Sequence, residues 1–296
     1  MKNVKLLALF SALALTLIFT GCNTGGFKST AYKVLPGGTN GTTGTSWTYV
    51  LFGDWPQTIK ADSVTVDENK SVSMGSFTYY KGSDGAWYAK LSNKYYKVEP
   101  IKWRVLTDDY NGKKLLLAEN ILSAHRYAAS SNNYKNSEIR EWLNGTFLST
   151  AFTADSVQNQ IARTVVDNSA RSTKPDANPE KFNRGENKYA CENTGDKIFL
   201  LSEQEVTTEV YGFTVYNLPK VGDSRIRMTT DFAKASGAWQ STAAGCGGCW
   251  WLRSPRYDTR YDSNMVCTVG EYGYAGIGGE ASICVMGVVP ALCLEN

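Results

Sequence analysis

Hydrophobic and polar residues alternate over short stretches along most of the chain, which is the pattern of half-buried β-strands. Clear examples are residues 47–53, 76–80 and 101–106. An apolar run at 114–118 follows the last of these after the sequence Asp-Tyr-Asn-Gly at 109–112. Because Asn-Gly favours a tight turn, this arrangement predicts a β-hairpin whose second strand is buried.

Helical spacing is rarer and confined to short segments. Ile139, Trp142 and Leu143 stand at i, i+3 and i+4, which predicts a short helix that stops at Asn-Gly 144–145. The Ser-Glu-Gln-Glu sequence at 202–205 has the spacing of a capping box. We therefore predict an α+β fold of short antiparallel strands, a few helices and long loops.

The N-terminus has the pattern of an export signal. A basic head at 1–5 precedes an apolar run at 6–19, and Gly21-Cys22 follows. This predicts a lipoprotein signal peptide at 1–21 with lipidation of Cys22. Phe19 stands where Leu is usual, as in the relaxed lipoboxes of spirochaetes. The alternative is ordinary signal cleavage, which would leave Cys22 as a plain thiol.

The residues after the signal divide into two parts. Residues 22–46 are rich in Gly and Thr and lack hydrophobic periodicity, so we expect a lipidated N-terminus followed by a flexible tether. Residues 47–296 form a single predicted domain. Because acyl chains bury methylenes in the bilayer, we expect an exported protein on the membrane surface. The expected location is the outer membrane, with the domain facing the cell exterior.

The C-terminal segment, residues 250–292, differs most from an ordinary core. Two apolar blocks frame a stretch of Tyr, Gly, Asp, Ser, Thr and Arg, a composition that resembles a binding face. The expected scaffold anchors are Trp250, Trp251, Leu252, Arg253, Val288, Val289 and Leu292, with Arg253 as a structural ion-pair or hydrogen-bond donor. The candidate ligand-binding residues are Arg256, Tyr257, Asp258, Arg260, Tyr261, Asp262, Asn264, Tyr272 and Tyr274.

Composition argues against several functions. A net charge of +3 over 296 residues is too small to indicate nucleic-acid binding. His125 is the one histidine, so a site with two or three histidine ligands is impossible within one chain. The pair Cys246 and Cys249 forms a C-x-x-C, but neither a helix start nor a second metal-ligand pair accompanies it. We expect no catalytic residue, metal or cofactor, and the disulfide pairing of the six cysteines after Cys22 stays open.

Six short blocks in order carry a family resemblance: 52–58 (FGDWPQT), 101–106, 139–144, 197–202, 250–255 and 287–292. The first resembles the FGxxPQT opening of a family of bacterial exported proteins. The whole resembles the treponemal variable proteins of diversity-generating retroelements. That resemblance implies a C-type lectin-like fold of the formylglycine-generating-enzyme type. It also implies a C-terminal segment diversified by adenine-directed mutagenesis, which binds a ligand that differs among variants.

The resemblance favours a protein ligand and no enzymatic activity, and three alternatives remain. Calcium-dependent carbohydrate binding would need clustered oxygens, for which Asp258, Asp262 and Asn264 are the nearest set. A purely structural envelope lipoprotein would show no exposed aromatic cluster near Tyr257 and Tyr272. An oxidase of the formylglycine-generating type would need a copper-binding cysteine pair, and no matching arrangement is visible.

Overall fold

Strands dominate the computed structural model, which describes residues 28–36, 38–39, 46–175, 187–214, 223–256 and 264–296. They account for 43% of the residues and helices for 14%, so the protein is mostly β with antiparallel sheets and a few short helices. The expected α+β fold is therefore confirmed in its antiparallel sheets and few short helices, while β structure outweighs helix more than that class name suggests. Two strands are longer than expected, with 11 residues in Tyr49–Ile59 and 17 in Lys94–Tyr110.

The strands in the described residues, in chain order, are β1 (Lys33–Val34), β2 (Gly38–Thr39), β3 (Ser46–Trp47), β4 (Tyr49–Ile59), β5 (Val66–Met74), β6 (Phe77–Gly82), β7 (Trp87–Leu91), β8 (Lys94–Tyr110), β9 (Lys113–Ala118), β10 (Asn120–Ile121), β11 (Ser123–Arg126), β12 (Ile161–Ala162), β13 (Thr164–Val166), β14 (Thr194–Asp196), β15 (Ile198–Phe199), β16 (Met228–Thr229), β17 (Trp250–Pro255), β18 (Met265–Val269), β19 (Ala275–Glu280), β20 (Val285–Val288) and β21 (Ala291–Glu295). The α-helices are α1 (Glu138–Trp142), α2 (Leu148–Ala151), α3 (Asp155–Gln158) and α4 (Asp231–Ala235). Short 3-10 turns cover Tyr134–Asn136, Glu205–Thr207 and Glu209–Tyr211, and a π-helical turn covers Leu143–Phe147.

The large sheet is built around β8, which pairs with β4, β7 and β9. Its order is β12-β21-β9-β8-β7-β6-β5, with β15 also paired to β21. The predicted hairpin of β8 and β9 is confirmed, because Tyr110 pairs with Lys113 across a two-residue turn. Asn111 and Gly112 have φ of 54° and 79°, which suit a hairpin turn with the twist of the strands.

Part of the predicted tether packs against the domain. Residues 28–36 include β1, which pairs with β4, and the Thr30 hydroxyl donates to a carboxylate oxygen of Asp54 at 2.9 Å. Ser29 and Thr153 share a hydrogen bond of 2.8 Å between their hydroxyls. Apolar contacts add to these hydrogen bonds, since Tyr32 packs on Phe52 with ring centroids 6.2 Å apart. The segment is too short and too polar to show a hydrophobic period, so the sequence alone did not indicate the attachment. Cys22 and the signal peptide lie outside the described residues.

The helix predicted around Ile139 forms, but it does not stop at 144–145. α1 begins after Ser137, whose hydroxyl accepts from the amide of Arg140, and the chain continues through the π-helical turn into α2. The Asn144 side chain donates to the carbonyl of Ile198 at 2.8 Å and accepts from the amide of Lys197 at 2.9 Å. Asn144 therefore ties the helical segment to β15 instead of ending it.

The small sheet holds most of the C-terminal segment. Its order is β11-β20-β17-β18-β19, with β17 and β20 parallel and the other neighbours antiparallel. The chain then leaves β20 and enters the large sheet as β21, between β9 and β12. Val288 and Val289 at this crossing are fully buried, so one continuous core joins the two sheets.

Candidate functional site

The two apolar blocks that frame the C-terminal segment are buried. All six residues of β17 are buried because this strand lies inside the small sheet, between β20 and β18. The seven expected anchors are each at most 1% exposed: Trp250, Trp251, Leu252, Arg253, Val288, Val289 and Leu292. Substitution of these residues would change the core. Residues in the connections between the strands, by contrast, lie at the ends of the sheet.

The candidate ligand-binding residues fall at two opposite ends of that sheet. Pro255 pairs with Val266, which places Arg256 and Asn264 at one end. Val269 pairs with Ala275, which places Tyr272 and Tyr274 at the other. Because a strand advances about 3.3 Å per residue, β18 separates the two ends by roughly 13–17 Å. Tyr257, Asp258, Arg260, Tyr261 and Asp262 lie outside the described residues.

At the first end, Arg256 is half-buried and its amide donates to the carbonyl of Met265 at 2.9 Å. The Arg256 side chain lies against Gly278, where an added Cβ would come within 2.8 Å of the arginine Cδ. The carbonyl of Asn264 accepts from the amide of Ala281 at 2.9 Å. Backbone hydrogen bonds therefore fix both ends of the connection between β17 and β18.

Two aliphatic side chains after β19 are exposed, and neither is among the candidate residues predicted from the sequence. Ile283 is 72% exposed in the turn after β19, and Val285 is 47% exposed at the start of β20. Val285 pairs with Arg126, whose guanidinium contacts Glu138 at 2.8 Å on the surface. In the sequence, the signal for these two exposed side chains is the presence of branched apolar residues within a polar segment.

At the second end, the two tyrosines differ. Tyr272 is 37% exposed, and the neighbouring Glu271 carboxylate raises the pKa of its hydroxyl. Tyr274 is half-buried and packs against the hydrophobic core. Tyr272 is thus available to a ligand, while Tyr274 also contributes to packing.

Arg253 has the structural role expected of it. Its guanidinium contacts both carboxylate oxygens of Glu205, at 2.5 and 2.8 Å, and donates to the carbonyls of Leu200 and Asp167. Burial alone would lower the pKa of Arg253, but the Glu205 carboxylate raises it. Tyr110 donates to the same carboxylate at 2.6 Å, so the pair is part of a buried network beside a polar cavity of about 360 Å³.

The six cysteines in the described part of the chain are free thiols. Cys246, Cys267 and Cys293 are buried, and burial raises the pKa of Cys293 to about 12. Among the residues with described positions, no group of three His, Cys, Asp or Glu side chains is placed to hold a metal ion. The described ranges also contain no helix long and apolar enough to cross a bilayer.

His125 lies on β11 and packs on Trp142 with ring centroids 3.9 Å apart. Burial lowers the pKa of its imidazole to about 4. The ring borders a cavity of about 380 Å³ between the two sheets, whose other aromatic walls are Trp55, Phe77 and Phe232. The sequence could not group these rings, because they come from separate elements.

In a comparison with protein families, residues 111–296 match the family described as "Domain of unknown function (DUF6273)". The matched range covers more than half of the chain. The chain belongs to the DUF6273 family. The DUF6273 range contains the whole C-terminal segment, the Arg253–Glu205 pair and His125. No curated protein and no solved structure matched the chain in the other two comparisons.

Proposed function

We propose that this DUF6273 protein is a lipid-anchored, surface-displayed binding protein with a C-type lectin-like domain of the formylglycine-generating-enzyme type. Its ligand would contact the C-terminal segment between Arg256 and Cys284, and the other strands would serve as scaffold. The resemblance to variable proteins of diversity-generating retroelements motivates the further proposal that this segment is diversified. The lipid on Cys22 would hold the domain at the outer membrane, facing the cell exterior.

One observation carries the binding proposal: buried strands of the small sheet lead into connections that lie at the two ends of that sheet. β17 is buried along its whole length, yet Arg256 directly after it is half-buried. Exposed side chains in such connections, such as Tyr272, can change without loss of core contacts, which is what a variable binding face requires. Tyr and Arg, frequent in binding hot spots, occur there.

A protein ligand is favoured by the chemistry at the Arg256 end. Exposed Ile283 provides an apolar side chain close to Asn264, whose carbonyl accepts from the amide of Ala281, two residues before Ile283. Protein interfaces commonly combine an apolar centre with a polar rim, and exposed apolar patches often mark them. Carbohydrate is the second candidate ligand, because exposed tyrosine rings such as Tyr272 can stack on sugars.

The proposal includes no catalysis. A general base works best with a pKa near the operating pH, and the pKa of His125 falls to about 4. The buried thiol of Cys293 has a pKa raised to about 12 and is a poor nucleophile at neutral pH. The function of the fold would then be to present side chains to a ligand.

A binding screen tests this proposal. The purified protein is applied to arrays of extracellular proteins and of glycans, with and without calcium. We expect saturable binding to a protein that the double variant Arg256→Ala/Asn264→Ala weakens at least tenfold, with an unchanged melting temperature. Lys90→Ala, on the distant β7 strand, is the control and should bind like the unchanged protein.

Tyr272→Ala distinguishes the two ends of the sheet. Binding of a ligand that contacts one end would be weakened by only one variant, Tyr272→Ala or Arg256→Ala/Asn264→Ala. Binding of a ligand that contacts both ends would be weakened by both variants. Saturable binding that neither variant alters would contradict the proposed site. Calcium-dependent binding to glycans alone would replace the protein ligand with carbohydrate.

A further inference from the structure

A cavity between the two sheets has the walls of a small-molecule site. Trp55 forms its floor and is 1% exposed, with Phe77 and Phe232 at centroid distances of 5.3 and 6.0 Å. Trp142 stands at 90° to Trp55, with centroids 5.9 Å apart. The volume of about 380 Å³ lies at the lower end of the range for ligand pockets, which are mostly apolar with a few polar groups.

The titratable group that lines this cavity is the imidazole of His125. Its position is fixed because the ring packs on Trp142 and the backbone carbonyl of His125 accepts from the Trp251 indole at 2.8 Å. Neither ring nitrogen has a hydrogen-bond partner among the described residues. A neutral imidazole has one donor and one acceptor nitrogen, so both capacities are open to a ligand.

The lining favours an uncharged ligand. It consists of aromatic, aliphatic, Ser and Thr residues together with His125, and no Asp, Glu, Lys or Arg of the described chain lines it. A charged ligand would lose its hydration without a counter-ion, which is costly. Rings at right angles to one another offer both faces and edges, the two contacts that an aromatic guest prefers.

We propose that this cavity binds a small, uncharged, planar aromatic molecule with a polar ring atom, of the size of indole, with His125 as its hydrogen-bond partner. His125 of this cavity lies apart from Arg256 and Asn264 of the proposed binding face. β11 is the edge strand of the small sheet and β18 is the fourth strand from that edge, so the two sites lie roughly 14 Å apart at about 4.8 Å per strand.

The one histidine of the chain provides a direct readout. In protein with labelled histidine, the imidazole signals in an NMR spectrum report His125 alone. Titration with indole should shift these signals saturably, with a dissociation constant between roughly 10 µM and 1 mM for a ligand of this size. Tetramethylammonium and methyl glucoside, the cationic and sugar probes, should leave them unshifted.

Two variants test the residues. His125→Phe retains a ring against Trp142 but removes both nitrogens, so indole affinity should fall about fivefold while naphthalene affinity stays the same. Ser236→Phe places a ring at the half-exposed rim of the cavity and should abolish binding of both molecules. Ala235→Phe adds the same ring at an exposed position of α4 outside the lining and should bind indole normally. Ligand-observed NMR measures affinity for the variant that lacks His125.

The absence of a saturable shift with millimolar indole would overturn the proposal, and so would binding that Ser236→Phe leaves intact. Binding of tetramethylammonium or methyl glucoside in preference to indole would replace the proposed ligand class. Tighter binding of N-acetyltryptophanamide than of indole would assign the cavity to a side chain of a peptide. All of these outcomes are independent of Arg256, Asn264 and Tyr272, so the proposed surface function stands or falls separately.

Discussion

At the scale of single residues, His125 makes stability depend on pH. Burial lowers its pKa to about 4 in the folded protein, against an ordinary value of 6.5. Above pH 6.5 the ring is neutral in both states and has no effect on unfolding. As the pH falls toward 4, the unfolded chain takes up the proton first and is stabilised. The free energy of unfolding should therefore drop by up to about 3 kcal/mol across this window.

Urea unfolding of the unchanged protein and of His125→Phe at pH 7, 6, 5 and 4.5 measures this effect. The variant should lose less stability than the unchanged protein over the same interval, because only the histidine differs. Equal pH dependence in the two proteins would show that His125 titrates normally.

The buried pair of Arg253 and Glu205 yields a second prediction. Arg253→Met leaves the Glu205 carboxylate buried without its cation, which should cost about 3–5 kcal/mol of unfolding free energy at pH 7. Arg253→Met/Glu205→Gln removes both charges and should be more stable than the single variant, as unfolding in urea would show. A double variant less stable than Arg253→Met would mean that the glutamate is stabilising without its partner.

At the scale of elements, Gly53 lies within β4 at a position that disfavours any larger residue. Its φ is 68°, and an added Cβ would lie 2.5 Å from Cε1 of Phe152 and 2.9 Å from the carbonyl oxygen of Ala151. Gly53→Ala should therefore destabilise the protein by about 2–4 kcal/mol through backbone strain and overpacking. Thermal unfolding measures the loss.

Gly85 is the matched control, since its φ is 79° but no atom lies within 4 Å of an added Cβ. Gly85→Ala should cost only about 1 kcal/mol, the strain of the left-handed backbone. Equal losses in the two variants would mean that Phe152 moves aside at no cost.

The local elements were predictable where one short stretch contains the whole signal. Asn111-Gly112 indicated the β8–β9 hairpin. The hydrogen bonds of the capping box formed, with the Ser202 amide donating to Glu205 at 2.8 Å and the Glu205 amide donating to the Ser202 hydroxyl at 3.1 Å. The helix that this spacing predicts is only the 3-10 turn Glu205–Thr207. Asn144 was misjudged because its decisive partners, Lys197 and Ile198, are more than fifty residues away.

The geometry of the candidate sites was less predictable for the same reason. The anchors of the C-terminal segment could be recognised from their hydrophobicity, and they are buried. The separation of Arg256 from Tyr272 depends on which strand ends meet, and the sequence does not show that register. The aromatic cavity brings together Trp55, Trp142 and Phe232 from β4, α1 and α4.

At the scale of the whole molecule, the proposed location can be tested on intact cells. Protease added to cells should degrade the domain rapidly, while a periplasmic control protein stays intact. Connections between strands are the preferred sites of cleavage, and this protein has several. Protection of the domain until the outer membrane is broken would place it in the periplasm, and surface display would be wrong.

The position of β21 inside the large sheet has a consequence for how the protein folds. Ala291 pairs with Leu117, its neighbour in space but a distant residue along the chain. Such non-local pairing costs loop-closure entropy before any hydrogen bond forms, so refolding should take milliseconds to seconds or longer. Until β21 arrives, the apolar β9 has an open edge that can pair with another molecule. Refolding yield should consequently fall as the protein concentration rises.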